Sequence, residues 1–129
     1  MTPEHRLMNE VMVWCGRDGY NCFRQNVGLF YTARKAMGTD EDWVQIGTRQ
    51  RVTFTKISTG LPPGFSDLQV IKPGGVVCFV ETKVHPRKPT EDQKNFMRAM
   101  RKQGCRAGVA YTLEEAINII DGTDALPEL

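Results

Sequence analysis

Gly64-Phe65-Ser66-Asp67 opens, and Val80-Glu81-Thr82-Lys83 closes, the stretch around which this chain is organised. Between them run Leu68-Gln69-Val70-Ile71-Lys72, a turn at Pro73-Gly74-Gly75, and the apolar run Val76-Val77-Cys78-Phe79-Val80. Pro-Gly-Gly between two runs rich in β-branched residues predicts an antiparallel hairpin. Asp67 stands seven residues before Gly74 and Glu81 seven after it. A hairpin symmetric about Gly74 sets Asp67 opposite Glu81 on one face at one end of the sheet, with Cβ atoms about 4.5–5.5 Å apart.

Two carboxylates that close repel each other, and apolar neighbours leave them poorly hydrated. A divalent cation resolves the conflict. Lys83, two residues beyond Glu81, falls on the same face by strand alternation. Mg²⁺ takes oxygen ligands at about 2.0–2.1 Å and keeps several waters, which suits a site that also receives a phosphate. Beside it, Lys83 can offset charge on the phosphate or help deprotonate an attacking water. The plainer alternative is a structural acid near a strand end with Lys83 as its salt-bridge partner. The order D-x13-E-x-K on a single hairpin favours metal-dependent catalysis.

Gly64-Phe65-Ser66-Asp67, Glu81-Thr82-Lys83 and then Gln93 near a helix start resemble the PD-(D/E)xK nuclease superfamily. Within it the spacing is most similar to the VRR-NUC family, the virus-type replication-repair nucleases. Phe23-Arg24-Gln25-Asn26-Val27-Gly28 upstream and Gln103-Gly104-Cys105-Arg106-Ala107-Gly108-Val109-Ala110 downstream agree with its short stand-alone members. The resemblance covers about residues 4–120. Ser66 stands where the superfamily more often has Pro, and the carboxylate that follows is unchanged.

Composition bounds the class. With 129 residues, 40% of them hydrophobic, the chain can bury one ordinary core. No apolar run approaches the roughly 20 residues of a membrane span, and no signal-peptide core opens the chain. Cys15, Cys22, Cys78 and Cys105 lack CxxC spacing, and two histidines add little. Reduced, mostly buried thiols of a cytosolic protein are the expectation, not a zinc site or a disulfide framework. The net charge of +2 conceals an asymmetry: residues 113–129 hold five acids and no bases, which leaves residues 1–112 with 17 bases against ten acids. That excess of seven favours a polyanionic partner, although many soluble domains are as basic.

Taken in order, residues 3–16 predict a helix with Pro3 and Glu4 in its first turn. Leu7, Met8, Val11, Trp14 and Cys15 form its buried stripe, and Glu4 falls in the middle of that stripe. An acid there needs a partner or a cation. Glu4 either caps the helix or, as the resemblance implies, adds a further metal ligand. Tyr20 to Arg24 predicts a short strand with Phe23 buried, and the resemblance suggests that Arg24-Gln25-Asn26 meets a phosphate backbone. After an acidic turn at residues 38–42, Trp43, Val44 and Ile46 read as packing anchors, with base stacking the rarer use of such a Trp. Val52 to Ile57 alternates as a strand. Ser66 has no GxSxG elbow around it, and the nearest candidate base, His85, lies in a Pro-bounded loop, which disfavours a serine hydrolase.

Beyond Lys83, Val84-His85-Pro86-Arg87-Lys88-Pro89 is a basic loop leaving the end of the hairpin. Arg87 and Lys88 are placed to contact phosphates, or simply to be solvated. Thr90-Glu91-Asp92-Gln93 has capping-box spacing, which by itself explains Gln93. Gln93 also shares a stripe with Phe96, Met97 and Met100, turning it toward the sheet, and the resemblance gives it a role in orienting water or phosphate. Lys94, Arg98, Arg101 and Lys102 form a basic row that is either a solvated face or a track for nucleic acid. Gly104 ends this helix, Cys105 to Tyr111 forms a buried strand, and Thr112-Leu113-Glu114-Glu115 opens a last helix. Asp121-Gly122 stops it, and residues 121–129 are expected to fray.

The sequence therefore predicts a single α/β domain over residues 1–129, a restriction-endonuclease-like mixed sheet flanked by helices. The resemblance implies a nuclease using Mg²⁺ or Mn²⁺ to cleave phosphodiester bonds in DNA. Asp67, Glu81, the Thr82 backbone carbonyl and Glu4 would be ligands, with Lys83 and Gln93 assisting. Arg24, Arg87, Lys88, Lys94 and Arg98 are the candidate DNA contacts. Structured or branched DNA such as a Holliday junction, a homodimer, and a cytoplasmic location (a host's cytoplasm for a viral member) complete the expectation. The alternative is a catalytically silent DNA-binding module of the same fold.

Overall fold

The computed structural model describes residues 1–25, 29–35, 43–46, 50–58 and 60–129. In chain order these form α1 (Pro3–Arg17), β1 (Asn21–Arg24), β2 (Leu29–Lys35), β3 (Trp43–Ile46), β4 (Gln50–Ser58), β5 (Leu68–Lys72), β6 (Val76–Thr82), α2 (Glu91–Lys102), β7 (Arg106–Ala110) and α3 (Leu113–Asp121). Met1–Asn26 and Pro62–Leu129 make one compact unit, and Val27–Leu61 makes a second. The sequence reading treats the whole chain as one domain. The division follows from strand pairing: β2 and β3 both pair antiparallel with β4, in a sheet of their own. The predicted strand at Val52 to Ile57 is extended to Gln50–Ser58. Asn26, the acidic turn at 38–42 and the anchoring roles of the Trp43, Val44 and Ile46 side chains lie outside the described residues.

The first unit is built on a mixed sheet of order β1-β5-β6-β7. Its hairpin has the register expected from the sequence, with Leu68 opposite Val80, Val70 opposite Cys78 and Lys72 opposite Val76. Gly74 and Gly75 carry the turn at φ of +85° and +76°, a region that side chains with a Cβ rarely enter. The crossover through α2 then brings β7 in parallel to β6.

Alternation along the strands sorts the apolar side chains onto two faces. Leu68, Val70, Cys78 and Val80 face Leu7, Met8 and Val11 of α1 and Ile119 and Ile120 of α3. Val77, Phe79, Ala107 and Val109 face Phe96, Met97 and Met100 of α2. The helices are fixed by their caps. Thr2 Oγ1 accepts from the His5 amide at 3.2 Å with Pro3 in the first turn, and Thr112 Oγ1 accepts from the Glu115 amide at 3.1 Å. Glu115 Oε2 reaches back to the Tyr111 amide, so the second predicted capping box closes one residue early.

Two expectations are corrected. Phe23 is not buried but 50% exposed. β1 is a sheet edge whose Cys22 turns to the α1 face, so Phe23 turns to the opposite face, where α2 packs over β6 and β7. Nor do residues 121–129 fray. Arg106 donates to the main-chain oxygens of Asn118, Ile119 and Asp124, Arg101 to that of Pro127, and Arg98 to that of Leu129. Leu126 and Leu129 pack against the two apolar clusters. Arginines far away in sequence satisfy carbonyls that composition alone marks as solvated.

Candidate active site

Four local decisions assemble the site at the open end of the hairpin. Gly64 comes first: at φ +82°, a Cβ on it would lie 2.1 Å from the Asp92 carbonyl oxygen, so only glycine lets this loop touch the start of α2. Phe65 then packs on Phe79 and Phe96, with ring centroids 5.8 and 4.4 Å away. Ser66 follows, wholly buried, its Oγ without a hydrogen-bond partner among the described residues. Asp67 emerges at the mouth.

There Asp67 and Glu81 grip each other. The Asp67 amide donates to Glu81 Oε2 at 3.2 Å. Asp67 Oδ2 accepts from the Thr82 amide at 3.0 Å and from Thr82 Oγ1 at 2.9 Å. Gln93 Nε2 donates to Glu81 Oε1 at 3.0 Å, and Lys83 Nζ stands 3.8 Å from the same oxygen. Gln93 Oε1 meanwhile accepts from the Thr90 amide at 2.9 Å, while the Gln93 amide donates to Thr90 Oγ1 at 3.2 Å. The capping box and the turn of Gln93 toward the sheet are therefore one arrangement: the cap's carboxamide spends its oxygen on the helix and its nitrogen on Glu81.

Electrostatics follow from burial. Glu81 is 1% exposed and Lys83 9%. Loss of water, then the charge of Asp67 and a hydrogen bond with it, push the Glu81 carboxyl up to about 9, against a smaller opposing pull from Lys83. Without a cation, Glu81 thus favours its protonated form at neutral pH. A divalent ion would take the place of that proton. Among the described residues, no three His, Cys, Asp or Glu side chains gather into one ligand set. Two carboxylates suit Mg²⁺, which binds through one or two carboxylates and completes its shell with water and phosphate oxygens.

The other expected residues lie around this centre in different ways. Glu4 is part-buried, with Oε2 3.8 Å from Arg87 Nη1, an ion pair between α1 and the basic loop. Arg87 and Lys88 are exposed. Their loop is fastened by Tyr111, whose ring stacks on His85 at 4.0 Å and whose hydroxyl donates to the Arg87 carbonyl at 2.8 Å. Arg24 sits 3.0 Å from His5 Nε2, on the α1 side of the sheet. Lys94 pairs with Glu91 at 3.4 Å, and Arg98 is held by Asn95 and Leu129. The Thr82 hydroxyl is the contributor that sequence reasoning missed. A hydroxyl residue directly after the strand acid is the only signal, and it is weak. A cavity of about 720 Å³ beside β7, lined by Arg101, Tyr111, Ile119 and Leu126 among others, includes none of Asp67, Glu81, Lys83 or Gln93.

No helix among the described residues is long and apolar enough to cross a membrane. No family model matches the chain, and no curated protein matches it. A solved structure described as a VRR_NUC domain is similar at a TM-score of 0.54 and 22% identity, covering 94% of this chain and 97% of that one. This α/β chain, a mixed four-stranded sheet flanked by three helices, therefore has a fold similar to a VRR_NUC domain over nearly its whole length.

Proposed function

We propose that the chain is a metal-dependent nuclease that hydrolyses phosphodiester bonds in DNA, with structured or branched DNA as its substrate and a homodimer as its working form. One observation carries the reading: a fully buried Glu81 carboxyl held against Asp67, with an ammonium and a carboxamide on its other oxygen. A structural strand-end acid with a salt-bridge partner gains nothing from a second acid that the hairpin register sets opposite it. Asp67, Glu81 and the Thr82 carbonyl would hold Mg²⁺ or Mn²⁺, while Glu4, paired with Arg87, does not join the two acids in one ligand set. The ion supplies polarisation of the phosphate and a more acidic water.

The chain's own groups do the positioning. Gln93 fixes Glu81 Oε1, and Thr82 fixes Asp67 Oδ2, so neither carboxylate rotates away from the mouth. Lys83 Nζ stabilises negative charge on the phosphate as a water oxygen bonds to phosphorus and the sugar oxygen departs with its electron pair. The water's proton passes to solvent, and the leaving oxygen is protonated from solvent. Arg87 and Lys88, exposed beside the mouth, bind flanking phosphates. The test is cleavage of labelled duplex, flap, nicked and four-way DNA with Mg²⁺ or Mn²⁺. Cutting that persists in a purified variant lacking Asp67, Glu81 and Lys83 would sink the proposal.

A further inference from the structure

Phe23 is a large apolar side chain left 50% exposed, and its register places it beside the acid pair. Phe23 pairs with Gln69 across β1 and β5, and Gln69 pairs with Phe79 across β5 and β6. Directly opposed residues share a face, so Phe23, Gln69 and Phe79 form one row. Glu81, two residues beyond Phe79 on β6, lies on that face too. Cys22 and Arg24, the neighbours of Phe23, turn to the other side, toward the α1 cluster and His5. The Gln25 amide donates to the Asp67 carbonyl at 2.8 Å, and Gln25 Nε2 to Gln69 Oε1 at 3.2 Å, which tie the end of β1 to the site. Phe23 therefore stands two strands from Glu81, about 10 Å across the sheet and about 7 Å along it, a gap that one or two nucleotides bridge.

We infer that Phe23 is a stacking platform for a nucleobase next to the scissile phosphate, a positioning residue for unpaired or unstacked DNA. The inference rests on the nuclease reading. Three properties carry it: an aromatic ring has a face that any base can cover, this ring is free of α2, and it shares the sheet face of the acid pair. A phosphate held at Asp67 and Glu81 would bring its neighbouring base over Phe23 instead of over Phe79, which α2 already covers through Phe96.

The test compares the full chain with F23L, F23A and F23W. Binding to a single-stranded oligonucleotide and to a flapped duplex is measured in EDTA, and cleavage of both is measured with Mn²⁺. Loss of a base stack predicts about tenfold weaker binding in F23L and F23A, with F23W retaining parental affinity. KM should rise in F23L while kcat changes little, and 2-aminopurine beside the cleaved position should lose its quenching. Unchanged melting temperature in F23L separates stacking from folding. Parental affinity and quenching in F23L would overturn the inference while leaving the nuclease reading intact. So would a change in oligomeric mass as its only effect, since the ring would then serve a second copy. Failure of the parent chain to bind or cut any DNA would remove both readings.

Discussion

Asp67 and Glu81 meet across the hairpin mouth by a reciprocal device: the Asp67 amide donates to Glu81 Oε2 at 3.2 Å, and the Asp67 carboxylate accepts from Thr82, the next residue after Glu81. Each acid is held by the main chain beside the other. The pair is therefore set by backbone register and not by a chance meeting of two flexible side chains.

D67A, E81A and K83A should each reduce cleavage by at least a hundredfold while retaining the far-ultraviolet circular dichroism of the parent. E81Q is the sharper probe, because its amide oxygen can keep the bond from Gln93 while the charge and the acceptor for the Asp67 amide are removed. Isothermal titration should show Mn²⁺ uptake lost in E81Q; retained uptake would move the metal elsewhere.

The Glu81 carboxyl, raised from an ordinary 4.5 to about 9 by burial and by Asp67, makes metal-free stability depend on pH. Between those values the folded state binds a proton that the unfolded state has released, so stability falls as pH rises, with a slope of up to about 1.4 kcal/mol per unit. Below pH 4.5 both states carry the proton and this contribution is flat. Thermal melts in EDTA from pH 5 to 9 should show the decline, and E81Q should flatten it. Added Mn²⁺ should raise the melting temperature most at the alkaline end, where its competitor proton is scarce.

Gln93 serves the helix and the site with different atoms. Q93A should cost about 1 kcal/mol of stability through the lost cap and should also lower kcat. Q93E, which can still accept from the Thr90 amide, should preserve the cap but set a carboxylate against Glu81. Cleavage by Q93E that matched the parent's would argue that Glu81 does not need the carboxamide.

Ser66 Oγ is wholly buried with no partner among the described residues. S66A should be neutral or stabilising by up to about 1 kcal/mol, since it removes an unpaired hydroxyl and little volume. A marked loss of stability in chemical denaturation would mean that this hydroxyl has a partner, such as an ordered water.

Arg106 spans three main-chain oxygens, those of Asn118, Ile119 and Asp124, at 2.7–2.9 Å. R106K cannot reproduce that fork and should cost about 1–3 kcal/mol, with faster amide exchange at the end of α3 and through the tail.

The hairpin, its register about Gly74, the pairing of Asp67 with Glu81, the three helices and the capping box at Thr90 could all be read in the sequence. They rest on short-range rules: turn chemistry, alternation along a strand and helical period. Phe23 could not be read that way. A phenylalanine in a short strand suggests burial, and only the order β1-β5-β6-β7, with α2 over β6 and β7, leaves its ring outside the covered area. The fate of residues 121–129 was equally hidden, because the arginines that hold them come from α2 and β7. The proton on Glu81 also belongs to the fold, since it depends on how much water the packed layers exclude. Sequence sets what lies near along the chain; burial and long-range pairing exist only once the layers have closed.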